Sequence, residues 1–343
     1  MAGLRPISNP PNPWLSTAVE YLEDEPPPEA RLEVYEDHTR EILASNDSPD
    51  VGFSWSVNPY RGCFHACAYC FARPTHEYLG FGAGTDFDRR ITVKPDAPRL
   101  LREAFERKSW KGELVVFSGV TDCYQPLEAS YRLTRACLEV CAEYRNPVGI
   151  ITKAPLIERD LDVLQELHRS ASVSVTVSIP IWHREHAHAL EPFVATPQRR
   201  MKTIERLAAA GLDVGVNLAP VIPGLSDADI PQILETAHAS GARRAGFVFL
   251  RLPGPVAQVF EERVRAALPL RADRILNRVR DARGGKLYDA RFGFRGRGQG
   301  HYAEAAQALF ESTARRLQMN QSCHGSTSDT FRRPGRGRQL PLL

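Results

Sequence analysis

The sequence predicts an α/β fold built on a parallel sheet, and three observations carry that prediction. Six strand-like apolar runs alternate with helical stretches between residues 53 and 250. Runs such as LVVFSGV and VSVTVSI are near-continuous, which suits strands covered on both faces. The polar residues able to do chemistry fall where the runs end, and in parallel α/β folds ligands sit at the carboxyl ends of strands.

Residues 1–50 are rich in proline and acid, with Pro26-Pro27-Pro28, and read as an irregular extension carrying one short strand near Arg31–Tyr35. Phe53–Val57 is the first strand and leads into a cysteine loop. A helix is expected at Arg99–Lys108, a strand at Leu114–Val120 and a helix at Arg132–Tyr144. The next pairs are Val148–Thr152 with Arg159–Arg169, Val173–Ile179 with Gln198–Ala210, and Leu212–Leu218 with Ile230–Ser240. Ala245–Leu250 is the sixth strand. Such alternation implies right-handed crossovers, and six units are two short of an eight-fold barrel. Residues 51–255 thus form a core. Residues 256–319 form a helical segment, with helices at Val256–Ala267, Leu270–Ala282 and Tyr302–Leu317 around a Gly/Arg loop at Arg291–Gly300. Residues 320–343 read as a basic, disordered tail containing RRPGRGR.

Composition bounds the setting. With 43% hydrophobic and 25% charged residues the chain is an ordinary globular protein. No apolar run approaches the ~18 residues of a membrane helix, and the amino terminus shows no secretory signal, so a cytosolic location is expected. Thiols stay reduced there, which turns a cysteine cluster towards metal rather than disulfides. The net charge of +3 hides an asymmetry, because residues 256–343 hold 17 Arg or Lys against 8 Asp or Glu. A basic carboxyl-terminal segment is either a solubilising tail or a contact for nucleic acid.

Ser56–Pro74, SVNPYRGCFHACAYCFARP, places Cys63, Cys67 and Cys70 within eight residues. Three thiolates can hold three corners of a cubane iron–sulfur cluster and leave one iron open, whereas most such clusters use four cysteines. The competing reading is zinc with His65 as fourth ligand. That spacing is too tight to resemble the separated pairs of ordinary zinc modules.

The spacing Cys-x3-Cys-x-aromatic-Cys, after the first strand of six βα units, resembles the signature of radical S-adenosylmethionine (radical SAM) enzymes over about residues 53–255. NPYRGCFHACAYCFAR, the TDxYQPLE run at 121–128 and TKAPLIERD at 152–160 resemble the branch related to spore photoproduct lyase. The resemblance implies a (βα)6 partial TIM barrel. It implies a [4Fe–4S] cluster on Cys63, Cys67 and Cys70, with the open iron chelating SAM. Tyr69 would lie near the adenine, Ser118 and Gly119 would meet the methionine amine, and Lys153 would pair with its carboxylate. Ser178 would contact the ribose, and Asn217 to Val221 would flank the adenine. Ser-Gly here replaces the usual glycine-glutamate pair. The chemistry implied is one-electron cleavage of SAM to a 5′-deoxyadenosyl radical that abstracts hydrogen from substrate, with a flavodoxin or ferredoxin as electron donor. The runner-up is a nucleic-acid repair or modification enzyme. From another class comes a non-catalytic iron–sulfur or zinc protein that binds nucleic acid.

Other candidates compete with plainer roles. Cys123 could donate a hydrogen atom to a product radical, as a cysteine does in spore photoproduct lyase, against a packed core thiol. Cys137 and Cys141, four apart on a helix, read as core thiols, and Cys323 as an inert or lone exposed thiol. Asp122, Tyr124, Gln125 and Glu128 could line a pocket or make turns and caps. His183, His186 and His188 could reach a metal or begin a solvated helix. Arg295 and Arg297 could grip phosphate or sit in a flexible loop.

Overall fold

The computed structural model describes residues 5–7, 32–320 and 328–334. Pro26–Pro28, Cys323 and residues 335–338 of the RRPGRGR stretch lie outside the described residues. In chain order the strands are β1 (Arg5–Ile7), β2 (Glu33–Glu36), β3 (Leu43–Ser45), β4 (Trp55–Val57), β5 (Tyr60–Arg61) and β6 (Arg90–Val93). They continue with β7 (Val115–Phe117), β8 (Val148–Thr152), β9 (Val173–Ser178), β10 (Asp213–Val221) and β11 (Arg244–Phe249). The helices are α1 (Thr85–Arg89), α2 (Ala97–Glu106), α3 (Glu128–Tyr131), α4 (Leu133–Tyr144), α5 (Leu161–His168) and α6 (Arg184–Leu190). After these come α7 (Pro197–Ala209), α8 (Ile230–Ala239), α9 (Val256–Ala267), α10 (Pro269–Asp281) and α11 (Gly300–Arg316).

The main sheet runs β11-β10-β9-β8-β7-β4-β3. Its six strands from β4 to β11 pair parallel, and β3 adds an antiparallel edge. This is the α/β fold on a parallel sheet that the alternating runs predict. At least one helix lies between successive parallel strands, and the apolar spacing of those helices explains their seat. In α2 the buried positions are Ala97, Leu100, Leu101, Ala104 and Phe105, one face of a 3.6-residue period. In the arginine-rich α10 they are Ala272, Ile275, Leu276 and Val279. The main core joins the sheet to the inner faces of α2, α4, α5, α7, α8 and α11.

Two features went beyond the sequence reading. The amino-terminal extension is woven into the fold: β2 pairs parallel with β6, β6 pairs antiparallel with β5, and β3 pairs with β4. Within the expected disordered tail, residues 328–334 dock on the body. Phe331 packs on Phe105 and Tyr144, with ring centroids 5.9 and 6.2 Å away. Among the described residues, no helix is long and apolar enough to cross a membrane.

Register positions the functional end of the sheet. Thr152 pairs with Val177, Ser178 with Asn217, and Asn217 with Gly246, so β8 and β9 end level with the middle of β10 and β11, which run on to Val221 and Phe249. A second apolar core, contributed by α6, α9 and α10, packs against Cys67, Ala68 and Tyr69. The carboxyl-terminal helices therefore shield one side of the cysteine loop.

Candidate functional site

The cysteine loop is held by backbone geometry first. Gly62 enters it at φ 75°, and a Cβ there would stand 2.9 Å from the Phe87 carbonyl and 3.0 Å from the His76 ring, so only glycine fits. The Cys63 amide donates to that Phe87 carbonyl at 2.9 Å, the Ala66 amide to Cys63 O at 3.2 Å, and the Cys70 amide to Cys67 O at 3.2 Å. Cys63 and Cys67 are buried and Cys70 is half-buried; all three are free thiols. Cys70 packs against the apolar groups around Cys63 and those around Cys67, which puts it between the two.

The run after β7 builds the wall beneath this loop. The strand stops at Phe117 because Ser118 and Gly119 turn to φ 99° and 125°. Asp122 accepts from the Thr152 hydroxyl and the Lys153 amide, both at 2.7 Å, and faces His65 Nδ1 at 3.4 Å. Gln125 accepts from the Phe64 amide at 3.0 Å and donates to Gly62 O at 3.1 Å. Glu128 accepts from the Tyr60 hydroxyl, from the Thr134 amide at 2.9 Å and from Arg159 at 2.8 Å. Of the pocket and turn readings, Asp122, Gln125 and Glu128 therefore follow the structural one. Tyr124 is wholly buried with them. Burial opposes charge on His65, but Cys63 and Asp122 outweigh it and hold the imidazole up at about 10.

Lys153 follows β8 and brings its ammonium 5.7 Å from the centroid of the Tyr69 ring. Burial works against that charge, and the nearness of Cys67 and Glu191 overcomes it, so the ammonium is held above its ordinary range. Tyr69 donates its hydroxyl to Glu191, and Arg200 donates to the other Glu191 oxygen at 2.6 Å and to the Ser178 carbonyl at 2.8 Å. Tyr69, Ser178, Glu191 and Arg200 are all buried. The chain thus brings Cys63, Cys67, Cys70, Tyr69, Lys153 and Ser178 to one place. Asn217 stands beside Ser178 in register, and its side chain occupies the space that a Cβ at Gly246 would need, 2.6 Å away. Val221 ends β10 and is buried. The Ser118 hydroxyl donates to Ile151 O at 2.6 Å and accepts from the Cys123 amide at 3.2 Å, which uses its one donor and leaves one acceptor lone pair. Gly119 beside it is open, with nothing near the position of a Cβ.

The donor set fits an iron–sulfur cluster. Among the described residues, no three His, Cys, Asp or Glu side chains converge as ligands of one ion would. A cubane spreads its thiolates over separate corners, and the loop offers three corners and no fourth cysteine. His65 faces Asp122 through Nδ1 and is also hydrogen-bonded to Cys63. The Lys153 ammonium beside the thiols fits a ligand that carries a carboxylate.

The remaining candidates are placed as follows. Cys123 is fully enclosed in the main core, where burial pushes its thiol well up, and Cys137 and Cys141 lie in that core too. His183 is 3.4 Å from Asp229 and its ring centroid 5.4 Å from that of His186. His188 lies on α6. Arg295 is engaged by Asp50 and Ser48 through Nε and Nη2, while Arg297 is exposed. Sequence reasoning missed Arg73, Glu191 and Arg200. Arg73 stands inside the signature stretch itself, where the signal was available.

Residues 57–237 match the family model described as the Radical SAM superfamily. An uncharacterized protein of Mycobacterium tuberculosis strain H37Rv is 42% identical over 204 residues, 59% of this chain and 60% of that protein. The match to this relative thus spans about 60% of its length. The protein named radical SAM Nalpha-GlyT isomerase, of Pseudomonas phage M6, is 24% identical over 210 residues, 60% of this chain and 42% of its own. Among solved structures, spore photoproduct lyase complexed with dinucleoside spore photoproduct superposes with a TM-score of 0.55 at 16% identity. The superposition covers 83% of this chain and 78% of that one. At that identity the likeness speaks for the fold.

Proposed function

Because this chain belongs to the radical SAM superfamily, whose cofactors are a [4Fe–4S] cluster and S-adenosylmethionine, we propose that it generates a 5′-deoxyadenosyl radical to abstract hydrogen from a substrate. The observation that carries the proposal is the single loop of three free thiols with the Lys153 ammonium beside it. When bound, the two cofactors supply one-electron reductive cleavage of a sulfonium. In this reading the six parallel strands form a (βα)6 partial barrel with the site at its mouth.

The chain's own residues bind, orient and exclude. Cys63, Cys67 and Cys70 hold three irons. Lys153 pairs with the SAM carboxylate, the open backbone at Gly119 meets the amine, and Ser178 and Asn217 flank the nucleoside. Tyr69 borders the adenine and is fixed by Glu191 and Arg200. The core formed with α6, α9 and α10 keeps water from the loop. A flavodoxin- or ferredoxin-type protein in a reducing cytosol would supply the electron. Cys123, enclosed as it is, serves this reading as a packed thiol, and its role as hydrogen donor requires an opening of the core.

Anaerobic reconstitution should load close to four iron and four sulfide per chain, and incubation with dithionite and SAM should release 5′-deoxyadenosine. Cys70→Ala should abolish that release. Uptake of zinc alone, or release that persists in Cys70→Ala, would refute the proposal. A second reading, a radical SAM enzyme that repairs or modifies nucleic acid, is favoured by the positive excess of residues 256–343.

A further inference from the structure

Arg73 lies three residues beyond the last cysteine, and its side chain is 2% exposed. A guanidinium has five N–H donors in a rigid fork, and here each has an acceptor. Nε donates to Cys67 O at 3.1 Å, and one Nη2 hydrogen reaches the same carbonyl at 3.0 Å. The other Nη2 hydrogen meets Asp88 Oδ1 at 2.9 Å. Nη1 donates to Ala83 O at 3.1 Å and Gly84 O at 2.8 Å. The Phe87 ring lies 5.1 Å from the guanidinium carbon.

These bonds refer Cys67 and Cys63 to one side chain, and the backbone amide of the same residue holds Cys70. The Cys67 carbonyl is gripped directly. The Cys70 carbonyl accepts from the Arg73 amide at 3.3 Å. The Cys63 amide donates to Phe87 O, within the 83–88 segment that the guanidinium holds through Ala83, Gly84 and Asp88. A buried charge with every donor used resists displacement, since moving it would strand donors away from water. Lysine, a point charge with three donors, cannot span the same carbonyls.

We propose that Arg73 is a positioning residue that sets the three-cysteine loop in its chelating shape before any cluster arrives. The inference rests on the reading of Cys63, Cys67 and Cys70 as cluster ligands.

Amide hydrogen exchange in the cluster-free protein tests it. Arg73→Lys should speed exchange at Cys63, Ala66 and Cys70 at least tenfold while β8 to β10 exchange as in the unaltered protein. After anaerobic reconstitution, a chelator should strip iron from Arg73→Lys at least tenfold faster. The reduction potential of Arg73→Gln, which loses the charge, should fall below that of Arg73→Lys, a shift that simple loosening would not produce. Asp88→Asn, which keeps the carbonyl contacts, should leave loop exchange near normal. Unchanged loop exchange and iron retention in Arg73→Lys would overturn the proposal, as would acceleration spread evenly over the molecule. Acceleration in Asp88→Asn equal to that in Arg73→Lys would do the same, because the ion pair alone would then be responsible. If Arg73→Gln does not fold, Arg73→Lys decides. Failure of the unaltered protein to take up iron would sink the cluster reading instead, and the exchange comparison would still judge the loop.

Discussion

Lys94 is buried at the end of β6, where taking an ammonium out of water is costly. Burial, joined by Arg61, pushes its pKa down to about 8, and Asp37 offsets only part. Between about 8 and the ordinary lysine value the unfolded chain holds a proton that the folded chain has lost. Stability therefore rises with pH across that window, and below about 8 the full cost of burying the charge is present. Lys94→Met should be more stable at pH 7 by something on the order of 3 kcal/mol, and its urea midpoint should no longer climb between pH 8 and 10. A variant that parallels the unaltered protein at both pH values would contradict this. Legibility at this scale divides by distance along the chain. The cysteines and Lys153 could be read because a short motif carries them. Glu191 and Arg200 could not, because the Tyr69–Glu191 contact spans 122 positions and charged residues ordinarily read as surface.

At the scale of elements, the helices and parallel strands were legible wherever an apolar period ran for several residues. Val148–Thr152 and Val256–Ala267 form with the expected bounds. The strand expected over Leu114–Val120 stops at Phe117, because positive φ at Ser118 and Gly119 is set by the site and leaves no mark in hydropathy. The strand β6 was missed because its four residues gain meaning only from partners at 33–36 and 60–61. The docked stretch 328–334 was missed for the same reason, since its composition is that of a tail. Arg333 donates to the carbonyl of Phe105, one that the last turn of α2 leaves orphaned, and to those of Arg107 and Trp110 in the turn that follows. Phe331→Ala should therefore cost about 2–3 kcal/mol in urea unfolding. Loss under 0.5 kcal/mol, the range of an ordinary surface change, would show that this stretch is not part of the folded body.

For the whole molecule, that docking changes how the basic carboxyl terminus can be tested against nucleic acid. A truncation from residue 320 would remove Asn320, whose amide donates to Arg243 O and whose side chain bonds both the amide and the carbonyl of Ala245 on the edge strand β11. It would also remove Phe331 and Arg333, so a weaker complex could report damage to the sheet edge and to α2. Removing 335–343 touches none of these contacts and deletes two charges, Arg336 and Arg338. Each phosphate neutralised contributes about 0.9 to the slope of log affinity against log salt on duplex DNA. If the tail holds a polyanion, this shorter deletion should lower the slope by about one to two and weaken binding to a short duplex at low salt, with the thermal midpoint unmoved. A slope identical to that of the full chain would take the tail out of the interaction. The positive excess of residues 256–334, which falls mainly on α10 and the Gly/Arg loop, would then be the remaining seat for it, to be probed by charge reversal at the exposed Arg297.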